Sequence, residues 1–165
     1  MNEKKIKKFH YYIDFDGVIL DTNNLVAKEV VNHYAGNFNE VFNKLDWQKI
    51  YRKSKVISNN LETIRIIQNE LNLYILTKIK SLEECNAKIK FLRENNISCP
   101  IIVVPINESK TNIIIPNKKT VLIDDDKQNI IEWTQKGGIG IHFINSTKTA
   151  GDYQTSSLSF LEKYI

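Results

Sequence analysis

Five short runs of apolar residues are spread along the chain, and each is followed by polar or charged residues. Runs such as IIVV and VLI are apolar at successive positions, which indicates strands that are covered on both faces. The predicted strands occupy residues 9–15, 73–76, 101–104, 120–123 and 140–144.

Between these runs, apolar residues recur every three or four positions, which predicts helices. The predicted helices occupy residues 60–69, 82–95 and 128–136. Ser81 is placed to cap the second helix, with Glu84 three residues further on, and Gly137 and Gly138 end the third. The predicted buried face of the second helix consists of Leu82, Cys85, Ile89 and Leu92.

The alternation of strands and helices predicts the doubly wound α/β class. We therefore expect a three-layer αβα, Rossmann-like parallel sheet of about five strands. A length of 165 residues suits one domain, residues 1–165.

The segment between the first two predicted strands is longer than one crossover helix requires. Asp21 or Thr22 can cap a helix that runs to about Tyr34, and Gly36 and Asn37 interrupt it. Residues 39–55 predict a second helical stretch. The surplus indicates a small helical cap within about residues 22–60, of the kind that excludes water and contacts substrate.

The formal net charge of +4 is concentrated at one end of the chain, because residues 1–10 hold four lysines and one glutamate. A nucleic-acid-binding protein usually carries its basic residues as a stripe on the folded body. We therefore expect no nucleic-acid partner.

The two cysteines, Cys85 and Cys99, have neither the spacing nor the paired histidines of a zinc site. Two reduced cysteines are typical of a cytoplasmic protein. No apolar run approaches 18 residues, so no membrane span is predicted. The oligomeric state is left open.

Polar residues follow the carboxyl ends of four predicted strands. In open parallel sheets, ligands bind beyond these ends, so we expect the side chains to meet at one edge. They are Asp14 and Asp16, then Thr77 and Lys78, then Ser109 and Lys110, and finally Asp124, Asp125 and Asp126 with Asn129 one turn later.

Carboxylates that lie close together repel one another unless a cation neutralises them. Hard oxygen ligands favour Mg²⁺, which keeps several waters and binds one or two carboxylates together with a substrate phosphate. A carboxylate held against the bound metal can attack the phosphorus of that phosphate. Gly17 permits the sharp departure of the chain after Asp16.

At these residues the chain resembles the haloacid dehalogenase (HAD) superfamily of phosphohydrolases. The resemblance rests on DFDGV at 14–18, ILT at 75–77, the lysine at 110 and LIDDDKQN at 122–129, in the family's order. The last motif also resembles that of deoxyribonucleotidase-like members. The resemblance implies a small phosphorylated substrate, with nucleoside monophosphates as one candidate class.

The resemblance also implies a role for each residue. Asp14 would be the nucleophile and a metal ligand, and Asp16 the general acid and base, with its backbone carbonyl on the metal. Thr77 would bind the phosphoryl group, with Lys78 beside it. Lys110 would neutralise the aspartyl-phosphate. Asp124 and Asp125 would hold Mg²⁺, and Asn129 would orient the loop.

Other interpretations of the same residues stay open. Thr77 could cap the following helix, and Lys78, Lys118, Lys119 and Lys127 compete with Lys110 for the phosphoryl group. Asp126 is expected to begin a helix as an exposed acid. Phe42, Trp47 and Tyr51 fit a packing face better than a platform for stacking bases.

Three rival functions share parts of this pattern. A dehalogenase does not require the metal cluster or the second carboxylate, Asp16. A phospho-accepting receiver module has its acidic pair on an earlier strand than its phosphorylated aspartate, the reverse of the order here. A non-catalytic, Mg²⁺-binding regulatory protein is the third alternative.

Overall fold

The computed structural model describes residues 8–33, 38–145 and 153–165. Six strands form one sheet in the order β5-β4-β1-β6-β7-β8, and every neighbouring pair is parallel. The strands are β1 (His10–Ile13), β4 (Asn72–Ile79), β5 (Ile101–Pro105), β6 (Thr120–Asp124), β7 (Ile139–Phe143) and β8 (Gln154–Thr155), while β2 (Leu20–Asp21) and β3 (Lys55–Val56) form a separate antiparallel pair.

Seven α-helices and a final 3-10 helix lie in the part of the chain that the structure describes. They are α1 (Asn23–His33), α2 (Phe38–Lys44), α3 (Trp47–Lys53), α4 (Asn60–Ile67), α5 (Leu82–Glu94), α6 (Lys110–Ile113), α7 (Lys127–Gln135) and the 3-10 helix Leu158–Tyr164. The predicted α/β class and the parallel sheet are confirmed.

The middle of the sheet is an isoleucine row. In the register of the strands, Ile13 of β1 pairs with Ile75 of β4 and with Ile123 of β6, and all three are fully buried. On the opposite face, Tyr12 packs with Leu122 and Trp133 in a second apolar cluster. Both faces are covered, as expected for consecutively apolar strands.

All five predicted strands are present, and the structure differs from the prediction in two further ways. Strand β4 continues to Ile79, so Thr77 and Lys78 lie within the strand and not after it. The sixth strand, β8, was not predicted because two residues are too few to produce an apolar run.

The predicted helical stretch at 39–55 is two helices, α2 and α3. The break lies at Leu45 and Asp46, where the Asp46 carboxylate accepts a hydrogen bond from the Lys49 N–H at 2.9 Å and caps α3. Tyr34, Gly36 and Asn37 lie outside the described residues. The action of helices α1–α3 as a cap stays a prediction.

The predicted buried face of α5 is confirmed for Leu92, which is fully buried, and is wrong for Leu82 and Ile89. Leu82 is 74% exposed and Ile89 37% exposed, whereas Glu84 and Lys88 are fully buried. The predicted cap is confirmed, because the Ser81 hydroxyl accepts a hydrogen bond from the Glu84 N–H at 3.0 Å. The buried charges are explained by the contacts of Lys88 described below.

None of the described helices has both the length and the apolar character that a membrane span needs.

Candidate active site

Asp14 and Asp124 lie side by side because β1 and β6 are parallel and in register. Each follows a member of the isoleucine row, and the Asp14 N–H donates to the carbonyl of Ile123 at 2.9 Å. Residues that are 110 positions apart therefore share one edge of the sheet.

Lys110 lies between these two carboxylates. Its ammonium is 2.8 Å from Oδ1 of Asp14 and 2.6 Å from Oδ2 of Asp124, and its side chain is only 2% exposed. Lys110 begins helix α6, which is capped by the Ser109 hydroxyl. Among the lysines that compete for the phosphoryl group, Lys110 is therefore the one placed against the predicted nucleophile, Asp14.

Asp124 is held in place from three sides. Besides Lys110, the Asn129 amide donates to Oδ2 at 3.0 Å and the Asp126 N–H donates to Oδ1 at 2.9 Å. Asp126 itself is exposed and caps α7 by accepting from the Gln128 N–H at 2.8 Å. The expected positions of Asn129 and Asp126 are thereby confirmed.

Asp125 reaches the site across Gly17. A Cβ on residue 17 would lie 2.0 Å from Oδ2 of Asp125, and Gly17 has a φ of +75°. Glycine is required here both for the left-handed backbone and for the close approach of the carboxylate. On the other side, Nε2 of His142 lies 3.0 Å from the backbone carbonyl of Asp125.

The carboxylates of Asp14, Asp124 and Asp125 form a group that suits a divalent cation. One oxygen from each lies within 4.8 Å of the others. Burial and the neighbouring acids raise the pKa of Asp14 to about 6, although Lys110 opposes the shift. The same two causes raise the pKa of Asp125 to about 7. A cation would relieve this repulsion, and the all-oxygen donor set fits Mg²⁺.

Without divalent cations, we expect the melting temperature to fall as the pH rises from about 5 to about 8. The pKa values of Asp14 and Asp125, about 6 and about 7, lie above the ordinary carboxyl value of 3.8. In this range the folded chain holds more protons than the unfolded chain, so stability is lost as those protons leave. Saturating Mg²⁺ should remove most of this fall in melting temperature.

Thermal unfolding followed by circular dichroism, in EDTA and in MgCl₂ across this pH range, measures the effect. Asp125→Asn is the matched variant, and it should flatten the pH dependence in EDTA. Equal falls in both buffers would contradict the assignment of a cation site.

Asp16 forms its contacts away from the three-carboxylate group. Its Oδ1 accepts from the Thr22 hydroxyl at 2.7 Å, and its Oδ2 accepts from the ammonium of Lys88 at 2.6 Å. Burial opposes ionisation, but Lys88 and Thr22 outweigh it, so the pKa of Asp16 is lowered. Asp16 is therefore ionised in this arrangement.

Lys88 was missed by the sequence analysis. The signal that could have found it is a glutamate four residues earlier on the same helix, Glu84, since such pairs form salt bridges. That pattern is usually found on solvated helix surfaces, so it does not by itself predict a buried lysine.

Thr77 is fully buried, and its hydroxyl accepts from Lys88 at 2.9 Å. The backbone carbonyl of Lys78 also accepts from Lys88, at 2.7 Å. The predicted contact of Thr77 with a phosphoryl group stays a prediction, and the competing helix cap belongs to Ser81.

A cavity of about 300 Å³ opens beside Asp14, Asp16 and Lys110. Lys80, which lines it, lies 5.7 Å from the ring centres of both Phe42 and Trp47. Those rings and Tyr51 are buried, which confirms their packing role. The cavity is lined by Asp14, Asp16, Asn23, Lys78, Lys80, Ile106, Lys110, Asp125, Asp126 and Asn129.

Several solved structures share this fold. The HAD-hydrolase YfnB from Bacillus subtilis, in a magnesium-bound form, has a TM-score of 0.66 and 16% identity, covering 95% of this chain and 98% of that one. A HAD-superfamily hydrolase of subfamily IA from Geobacter sulfurreducens has a TM-score of 0.63 and 10% identity, covering 96% and 98%. A dehalogenase has a TM-score of 0.62 and 11% identity, covering 95% and 96%.

No protein-family model and no curated protein sequence matches the chain. At these low identities the structural likeness shows that the chain has the fold of HAD-superfamily hydrolases. Because this fold accommodates more than one chemistry, the activity has to be argued from the site.

Proposed function

We propose that this chain is a HAD-superfamily hydrolase that cleaves phosphomonoesters with Mg²⁺, through an aspartyl-phosphate on Asp14. The observation that supports the proposal most strongly is the convergence of Asp14, Asp124 and Asp125 beside the buried Lys110 at one edge of the sheet. These groups supply a nucleophile, ligands for a cation and a fixed positive charge.

In the first step, an oxygen of Asp14 attacks phosphorus, and the bond from phosphorus to the leaving oxygen breaks. Asp16 is ionised before substrate binds, so it first takes up a proton, from the phosphomonoester or from solvent, and then gives that proton to the leaving oxygen. The charge of Lys110 stabilises the oxygens of the transferring group. A bound Mg²⁺, held by the three carboxylates, would neutralise part of the phosphoryl charge.

In the second step, Asp16 takes a proton from a water molecule that attacks phosphorus. The bond between phosphorus and Asp14 breaks, inorganic phosphate leaves and the Asp14 carboxylate is restored. Each proton that Asp16 gives in the first step is regained in the second, so the cycle is balanced.

The cavity supports a small substrate. Its volume of about 300 Å³ lies at the lower end of the range for ligand pockets. Lys78 and Lys80 line it and favour an anionic compound. Nucleoside monophosphates are the first class to test, since the last motif resembles that of deoxyribonucleotidase-like enzymes.

Hydrolysis of a phosphate ester is favoured over dehalogenation by two features of the site. Asp16 supplies a second carboxylate, whose side chain lines the cavity. The three-carboxylate group suits a divalent cation, which dehalogenation does not need.

We expect the purified protein to hydrolyse p-nitrophenyl phosphate with Mg²⁺ and to stop when EDTA is added. The measurement is release of nitrophenolate, followed by a panel of phosphorylated metabolites that includes nucleoside monophosphates. A stable, acid-labile phosphoryl-protein without turnover would instead support a phospho-accepting module. Neither turnover nor labelling would support a non-catalytic regulatory protein.

The matched variant for this assay is Asp124→Ala, which removes a carboxylate from the cation group. It should raise the Mg²⁺ concentration required for half-maximal activity more than Asp126→Ala, whose carboxylate is exposed and caps α7. A titration of Asp124→Ala that matches the unmodified protein would refute the ligand assignment.

A further inference from the structure

Lys88 is a fully enclosed charged side chain beside the site. Its ammonium donates to Oδ2 of Asp16 at 2.6 Å, to the Lys78 carbonyl at 2.7 Å and to the Thr77 hydroxyl at 2.9 Å. It also lies 3.0 Å from Oε1 of Glu84. The side chain is 0% exposed, so all of its polar contacts are with the protein.

A buried ammonium is costly unless it is paired and hydrogen-bonded. Here two carboxylates and two further oxygens surround it, which satisfies its three N–H groups. Glu84 is itself held by the Lys80 N–H at 2.6 Å and lies 3.4 Å from the Tyr51 hydroxyl. The ammonium therefore has a fixed position between helix α5 and strand β4.

The carboxylate that Lys88 holds belongs to a side chain that lines the cavity. Asp16 is bound from the other side by Thr22, so each of its oxygens receives one donor. Two donors on different oxygens fix the rotation of a carboxylate. The three-carboxylate group does not include Asp16, so its carboxylate is not one of the candidate cation ligands.

We propose that Lys88 is a positioning residue that orients the Asp16 carboxylate toward the leaving oxygen of the substrate. This inference rests on the proposed phosphatase function. Lys88 contacts Asp16 and is not among the residues that line the cavity, so it would act through Asp16. Its removal should therefore impair delivery of the proton more than it impairs attack by Asp14.

Proton delivery matters most for esters with poor leaving groups. Phenyl phosphate needs its leaving oxygen protonated, whereas 2,4-dinitrophenyl phosphate releases a stable anion without help. We expect Lys88→Met to lower kcat/KM for phenyl phosphate by about 100-fold, and for the dinitrophenyl ester by about fivefold or less. Asp16→Asn should show the same selective loss.

Controls separate this role from a general structural one. Lys90→Met is the matched control, because Lys90 lies on the same helix with a half-exposed side chain that reaches Glu94 and Gln48. If Lys88→Met does not fold, the double variant Glu84→Gln with Lys88→Met removes the buried pair together and leaves no unpaired charge on α5. Melting temperatures establish that each variant is folded before its kinetics are compared.

The two substrates distinguish failure of this inference from failure of the proposed function. Equal losses on both esters, in either folded variant, overturn the positioning role and leave the phosphatase assignment standing. An unmodified protein that hydrolyses neither ester overturns the phosphatase assignment and this inference with it. A selective loss on phenyl phosphate supports the positioning role.

Discussion

Asp14→Asn is expected to abolish turnover while the protein stays folded. The amide cannot attack phosphorus, whereas its oxygen can still accept the hydrogen bond from Lys110 and its volume is nearly that of the carboxylate. We expect kcat to fall by about 1,000-fold or more. The measurement is hydrolysis of p-nitrophenyl phosphate with saturating Mg²⁺, together with circular dichroism.

The control for this variant is Asp46→Asn, an exposed cap of α3 outside the cavity. Asparagine caps helices about as well as aspartate, so this change should leave both activity and fold as they were. More than about a tenth of the normal activity in Asp14→Asn would refute the nucleophile assignment, because loss of a nucleophile costs far more than that.

Lys110→Met is expected to impair both activity and stability. It removes the buried positive charge between Asp14 and Asp124, whose carboxylates lie 2.8 and 2.6 Å from the ammonium. Removing one partner of a buried ion pair costs about 3–5 kcal/mol of unfolding free energy. We also expect kcat to fall by about 100-fold or more, since the phosphoryl charge is then less stabilised.

Urea denaturation in EDTA measures the loss of stability, and repetition in Mg²⁺ should recover part of it, because the cation replaces some of the lost charge. Activity should not recover. The matched control is Lys118→Met, which alters an exposed lysine close to β6. If the two variants denature at the same urea concentration in EDTA, the contacts of Lys110 with Asp14 and Asp124 do not stabilise the fold.

The carboxylates of Asp14, Asp124 and Asp125 affect the stability of the folded chain as well as its chemistry. The raised pKa values of Asp14 and Asp125 mean that their ionised forms are disfavoured in the folded chain. Lys110 offsets only part of this effect. The folded chain is therefore most stable when these carboxylates are protonated or when a cation is bound. Groups arranged in this way are characteristic of functional sites.

The sequence by itself was enough to predict the parallel sheet and the acids that follow its first and fourth main strands. Both are local properties, because consecutive apolar residues define a strand wherever it lies. It also identified Ser81, Asp126 and Asn129, whose contacts lie within five residues along the chain.

Only the tertiary structure decided which groups touch. Pairing of Ile13 with Ile123 sets the position of Asp14 beside Asp124, and no local pattern specifies a register between distant strands. The buried face of α5 was misjudged for a related reason. Lys88 and Glu84 point inward because Asp16 pairs with the Lys88 ammonium, and these two residues lie 72 positions apart in the chain. A charged residue can be buried only where partners from other elements satisfy it, so burial of Lys88 depends on the assembled fold.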